Sequence, residues 1–398
     1  MAIPTIDFLT RNLRHGVNRR TGIFGFLGGL AGIAGVSSVE ATIAKPPVDC
    51  RSTGMQCLTG AECCSGRCIT KSDGTARCAR KTSNRKKRKK RDAGDGAAPL
   101  QCTVCASGCP YTTIEDAIAA ADSYDTITIA AGTYDPVPRD AWVNGSITID
   151  KNLLLRACDP HDRPVIVNTS STTRSILIYI GRLTETYDCD DFAPTAFLDG
   201  LILQGGPTAE RGAILAGCNA DFVLSNSVVQ GFSTVPATPH DYAPITLNAN
   251  GSATIFNTRI VDNTGLGTTA ATAFLFYPLQ SNTSMTITDC EISGNAGGAA
   301  AIVAGQYGTI TLSGTTVVRD NTSTGANGGG AWVGGPSSAL ILEDDATITG
   351  NSCTTLGGGI YAGTDATVTG VTSGKVLLNA ASGCANYYSD ATSTCILS

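Results

Sequence analysis

Short apolar runs, alternating with polar positions and bounded by Gly, Asn, Asp or Ser, recur about every thirty residues between positions 212 and 383. Runs of this β-branched, alternating kind predict strands, and the residues between them predict turns. One column of the repeat holds Ile214, Ile245, Phe274, Ile302, Trp332 and Ile360, at spacings of 31, 29, 28, 30 and 28 residues. A second holds Leu224, Phe256, Thr288, Leu312, Leu342 and Val368. In a third, Ile260, Ile292, Val318, Ile348 and Val376 are each followed three residues later by an asparagine: Asn263, Asn295, Asn321, Asn351 and Asn379. No helical period fits between them. Three strands without a helix cannot bury their own apolar face, so successive units must stack on a shared core.

The fold class predicted is all-β: a right-handed parallel β-helix solenoid with three strands per coil, aliphatic columns inside and asparagines stacked at one corner. Asparagine suits that corner because it tolerates the left-handed conformation and its amide can bond the asparagine one coil away. Gly328-Gly329-Gly330, Gly357-Gly358-Gly359-Ile360, Gly294-Asn295 and Gly350-Asn351 resemble motifs of the pectin-lyase-like β-helix family, in particular its bacterial surface members.

The solenoid is expected to span 100–398 and to open with a cap. In the stretch after Cys102, Cys105 and Cys109, Ile114, Ile118 and Ala121 share one helical face, and Thr113 with Asp116 three residues on is a capping-box-like start. The strand Asp125 to Ile129 follows. This helix-then-strand opening also resembles the pectin-lyase-like family, where a short helix covers the first coil. Coils are less regular from Ile147 to Gly206, where Tyr187 to Asp191 reads as an inserted loop. Cys384 and Cys395 are expected to close the far end as a disulfide loop, whereas the pairing of Cys158, Cys189, Cys218, Cys290 and Cys353 is not readable.

Composition adds a compartment. Sixteen Cys is an even number and high for a reducing cytosol, which points to an oxidising destination. Residues 1–44 agree: Arg19-Arg20-Thr21-Gly22-Ile23 leads into an uncharged stretch to Val39 and is similar to a twin-arginine export signal, with cleavage expected near Ala41 or Ala44. A membrane anchor is the other reading of a stretch this long, but its glycines lower its apolarity. The mature protein is thus expected to be secreted or held at the cell surface, without a membrane span.

Residues 45–80 form a separate module. Cys50, Cys57, Cys63, Cys64, Cys68 and Cys78 lie within 29 residues that hold few large apolar side chains, so crosslinks must hold the segment together. A zinc site fits poorly, because six Cys with no nearby His does not match four-ligand spacings. The spacing resembles a knottin. That resemblance implies the pairs Cys50 with Cys64, Cys57 with Cys68 and Cys63 with Cys78, while the sequence by itself permits fifteen connectivities.

Residues 81–99 read as a disordered linker containing seven consecutive cations, Arg85, Lys86, Lys87, Arg88, Lys89, Lys90 and Arg91. Thr42 to Arg91 holds 14 basic and 3 acidic residues, while Asp92 to Ser398 holds 10 basic and 28 acidic. The basic arm is therefore suited to tether the chain to a cell-wall polyanion or acidic polysaccharide. A nucleic-acid partner is not expected for an exported chain.

Many members of the resembled family cleave acidic polysaccharides, which implies either a calcium-holding Asp cluster beside an Arg or Lys base, or paired Asp with a His. The residues on either side of the first apolar column, whichever parity points outward, include no acid, base or His. His161 and His240 stand in Pro-containing loops. The densest acidic groups are Asp188, Asp190 and Asp191 and the run Glu343, Asp344 and Asp345, weak candidates for calcium. No other cofactor is implied and no catalytic residue stands out. The leading expectation is a non-enzymatic exported protein for adhesion or for binding wall or acidic glycans. A polysaccharide lyase or hydrolase, with Asp188, Asp190 and Arg182 converging in one cleft, is the alternative. The apolar outward strip is expected to be covered by the tail from Cys384 to Ser398.

Overall fold

The computed structural model of the chain describes residues 68–70, 76–78 and most of 101–397. Outside it lie 1–67, 71–75, 79–100, 137–144, 170–175, 182–192, 207–211, 235–242, 266–273, 277–282, 391–393 and a few single positions. The chain divides into two units, Met1–Asp95 and Gly96–Ser398.

In the first unit, strands Cys68–Thr70 and Ala76–Cys78 pair antiparallel with Cys68 opposite Cys78. The other four cysteines of the module, the export signal and the Arg85 to Arg91 run lie outside the described residues.

The second unit begins with helix α1, Ile114–Ala120, which buries Ile114, Ala117 and Ile118. The Thr113 hydroxyl accepts from the Asp116 N–H and donates to the Asp116 carboxylate at 2.7 Å, so two polar groups of the first turn satisfy each other. At the other end the Lys151 ammonium donates to the Ile118 and Ala121 carbonyls at 3.2 and 3.1 Å. Carbonyls of the last turn carry the negative end of the helix dipole, where a cation is favoured. The disulfide Cys102–Cys158 ties the segment before α1 to the end of strand Leu153–Ala157, and Cys105–Cys109 closes a small loop within it.

Behind this cap the chain winds as a parallel β-solenoid. Sheet 1 has nine strands running from Thr126–Ile129 to Thr367–Thr369, and sheet 2 has nine from Thr133–Tyr134 to Val376–Leu377. Sheet 3 has ten, from Gly145–Ile149 to Tyr387–Ser389 and then Thr394–Leu397. A fourth sheet of five two-residue strands, Ser233–Thr234 to Ser352–Cys353, follows sheet 2 in five successive coils. These coils therefore carry four strand segments where the sequence predicts three; the extra one is too short and too polar to show an alternation.

Inside, columns of apolar side chains run the length of the unit. The third predicted column is in register, Ile260, Ile292, Val318, Ile348 and Val376 pairing rung to rung with every member sealed from solvent. It extends back through Val229, Leu203 and Ile166. At roughly 1.5–3 kcal/mol for each fully buried aliphatic, stacking these rungs is the main driving force of the fold.

The other two predicted columns slip in places. In the first, Ala331 lies between Ile302 and Ile360, and Trp332 is turned outward between Val303 and Tyr361. In the second, Ile255 and Ile287 are the buried members in place of Phe256 and Thr288, and Val368 pairs with Leu340. A strand has period two, so an error of one residue exchanges inside for outside.

The asparagine corner also differs in one respect. The residues that adopt the left-handed conformation are those just before the asparagines: Asp262, Gly294, Asp320, Gly350 and Leu378, with φ of 56°, 66°, 55°, 66° and 56°. The asparagines themselves point inward. Each donates through Nδ2 to the Oδ1 of the next, at 2.9, 2.8, 2.8 and 3.0 Å from Asn263 to Asn379, and Asn379 continues the ladder to Asn386 at 3.1 Å.

The tail does not lie across the outward strip. Tyr387–Ser389 adds a parallel rung to sheet 3, and Thr394–Leu397 turns back antiparallel beside it. An edge offers unpaired backbone groups, and strand pairing satisfies them where a strip of side chains would not. Cys384 is disulfide-bonded, while the side chain of its expected partner Cys395 lies outside the described residues.

Candidate binding surfaces

Three outward surfaces of the solenoid carry recognisable chemistry. The first is the outer face of sheet 1. Thr254, Thr286 and Thr311 pair in successive rungs, Ser284 pairs with Thr309 on one side of them, and Thr288 with Ser313 on the other. Further on, Ala339 and Ile341 are followed by Thr367 and Thr369. Alternation puts these residues outward because the positions between them, Met285, Ile287, Ile310 and Leu312, fill the core. The result is an uncharged array of hydroxyls repeating about every 4.8 Å from rung to rung. Thr254, Ser284 and Thr286 are exposed, and the Thr288 and Ser313 hydroxyls bond each other at 2.6 Å.

The second is the outward column of sheet 3. Among the described side chains it reads Tyr179, Leu215, Thr246, Val303, Trp332, Tyr361 and Tyr388, with no acid, base or His; Tyr179, Leu215, Thr246 and Val303 are buried, Val303 in a small cluster with Ala243, Ala299 and Ala300. Tyr361 and Tyr388 stack with ring centroids 5.8 Å apart and planes 12° apart. The Tyr361 hydroxyl donates to Asp390. Burial, reinforced by that carboxylate, pushes the phenol up to about 12.

The third is a cleft of about 430 Å³ where sheets 1 and 2 meet, lined by Arg156, Arg163, Arg259, Asp199, Asn226, Ser227 and Asn257 among others. Of the ten Lys and Arg from Asp92 onward, three gather here in an otherwise acidic part of the chain. Arg156 stands opposite Asp199 across one rung. The two form no ion pair, because Asp199 Oδ1 accepts from the Ser225 hydroxyl at 2.8 Å and the Asn226 amide at 2.7 Å. Arg163 Nη1 donates to the Asn226 carbonyl at 2.9 Å. Arg259 is already paired with Glu291 at 2.8 Å. The Arg259 contact holds the Glu291 carboxyl below the usual range.

Of the residues singled out as site candidates in the sequence, Asp188, Asp190, Asp191, Arg182 and His240 lie outside the described residues. Glu343, Asp344 and Asp345 form an exposed turn in which Asp344 accepts from the Gly314 N–H at 3.1 Å. His161 is exposed, and its backbone N–H is bonded by Asp159. Among the described residues no group of three or more His, Cys, Asp or Glu is placed to hold a metal ion. Among them, too, no helix is long and apolar enough to cross a membrane. Cys290 and Cys353 are buried free thiols, and burial pushes Cys290 up to about 12.

Sequence reading missed the arginine cleft. Arg156, Arg163 and Arg259 share no motif and come together only when coils stack; the one signal available was the scarcity of cations after Arg91. Comparison with family models, with curated proteins and with solved structures finds no match for this chain.

Proposed function

We propose that this chain is an exported, non-enzymatic protein that adheres to wall polysaccharide or acidic glycan. In this reading a twin-arginine-like signal directs export, a knottin-like module forms the head and the run Arg85 to Arg91 tethers the chain to a wall polyanion. A right-handed, pectin-lyase-like β-helix then serves as the rod. The observation that supports adhesion is the outer face of sheet 1. A hydroxyl both donates and accepts, so a regular array of them complements the hydroxyls of a sugar polymer without requiring any charge on it. Guanidinium groups likewise bind without transferring protons, since they stay charged at any physiological pH.

The test is retention of the purified protein on insoluble wall polysaccharide, with soluble sugar products measured in the same tube. Replacing Thr286 and Thr311 together by Val, which removes the hydroxyls at nearly the same size, is expected to weaken retention about ten-fold. Release of cleaved products by the unaltered protein would instead favour the lyase or hydrolase alternative. Salt is expected to abolish whatever part of the retention depends on Arg85 to Arg91.

A further inference from the structure

We propose that the cleft between sheets 1 and 2 is a binding site for a tetrahedral oxyanion, a phosphate or sulfate group, held by Arg156 and Arg163. The charge balance of the cleft is the first argument. Arg259 has Glu291 as its carboxylate, and Asp199 is occupied by Ser225 and Asn226. Arg156 and Arg163 have no carboxylate partner among the described residues.

Preorganisation is the second. Arg156 Nε is closed off from solvent and makes no hydrogen bond. Leaving a buried donor unmet costs roughly 1–3 kcal/mol, more for a charged group, so an acceptor oxygen reaching this guanidinium from the cleft would offset part of that cost. Arg163 stands on the connection between strands Leu153–Ala157 and Val165–Val167, and reaches Asn226 two rungs away. That connection begins at Cys158, which is anchored by its disulfide to Cys102.

Geometry selects among anions. A guanidinium fork presents paired N–H donors, and one carboxylate with two oxygens is matched to one fork. Two forks on one cleft are satisfied together by a group with more acceptor oxygens. Asn226 and Asn257 also line the cleft; each gives one amide N–H to a neighbour, to Asp199 and to Asn226, and keeps a second, whereas the Ser227 hydroxyl is spent on the Ser225 carbonyl. No aromatic side chain lines the cleft, so the stacking on which a single-stranded nucleic acid depends has no platform here.

The probes are inorganic phosphate, sulfate and acetate, titrated calorimetrically into the full chain at low salt. Saturable binding of phosphate or sulfate is expected, with acetate weaker by about ten-fold. Arg156→Gln and Arg163→Gln are each expected to cost about ten-fold or more, while Arg259→Gln changes little. Arg163→Gln serves as the variant less able to disturb the fold, because Arg163 is only partly buried and gives up a single hydrogen bond, to the Asn226 carbonyl; an unchanged melting curve confirms that. Absence of binding by both tetrahedral anions overturns the assignment. So does acetate binding as tightly as phosphate, or binding indifferent to both arginine substitutions. Adhesion through the hydroxyl face is read in a separate assay, so either idea can fail alone.

Discussion

Asn321 and Asn351 are joined by an Nδ2–H to Oδ1 bond of 2.8 Å while both are completely sealed from solvent. Every polar atom of Asn321 is used: its Oδ1 accepts from both the backbone and the amide of Asn295, and its Nδ2 also reaches the Ile292 carbonyl at 3.0 Å. A buried polar ladder of this kind is stabilising only while complete.

Asn321→Ala should therefore be expensive. It orphans the buried Asn295 N–H and the Ile292 carbonyl, at roughly 1–3 kcal/mol each, so a loss of about 3 kcal/mol is expected in urea unfolding. Asn379→Ala, one step from the ladder's last member Asn386 and slightly exposed, is expected to cost less. Equal losses at the two positions would mean the ladder does not act as a chain of dependent bonds.

The position before each ladder asparagine makes a second prediction. Leu378 holds φ of 56° and is 79% exposed, whereas the equivalent places carry Asp262, Gly294, Asp320 and Gly350. A leucine in the left-handed region costs roughly 1–2 kcal/mol, and this one gains nothing back by burial. Leu378→Gly is expected to stabilise the protein by about 1 kcal/mol. Gly350→Ala should do the reverse by more, because its Cβ would stand 2.8 Å from Asp320 Oδ1. Thermal melts of the two variants should move in opposite directions.

At the other end, Cys102–Cys158 encloses 56 residues of sequence separation. The loop-entropy account gives such a crosslink roughly 4 kcal/mol. Replacing both cysteines by Ser is expected to lower stability by up to that amount and to raise amide exchange in Thr126–Ile129, where the Thr128 carbonyl accepts from the Thr103 and Val104 N–H groups of the cap segment and the Thr128 N–H donates to the Thr103 hydroxyl. Exchange confined to sheet 3 instead would show that the bond does not secure the cap.

How far these features could be seen in the sequence depends on how local their cause is. Val318 and Asn321 are three residues apart at one corner, so their spacing survives insertions elsewhere and the column reads correctly. Ala331 is small, and beside Trp332 it lost the place it occupies in the core; parity, not apolarity, decides that site. The triple glycines had a clear signal whose cause is only visible in three dimensions: a Cβ on Gly329 would sit 2.4 Å from the Gly358 carbonyl of the next coil. Arg156 and Arg259 are separated by 103 positions, and only the stacking of coils, which no short motif encodes, makes them neighbours.

The alkaline limit of stability is expected to involve Tyr361. Its phenol is pushed from 10.0 to about 12 by burial first and by its bond to Asp390 second. The folded state thus holds this proton more tightly than the unfolded chain does. The stabilisation is fully present below pH 10 and is lost as the pH rises through about 12. In an ultraviolet titration Tyr361→Phe should remove a late-ionising phenol and leave the earlier ones unchanged. Asp390→Asn should bring the same phenol down without returning it to its ordinary value, because burial remains. A late phenol that persists in Tyr361→Phe would assign the shift to another tyrosine, with Tyr387, also raised by burial, the one to replace next.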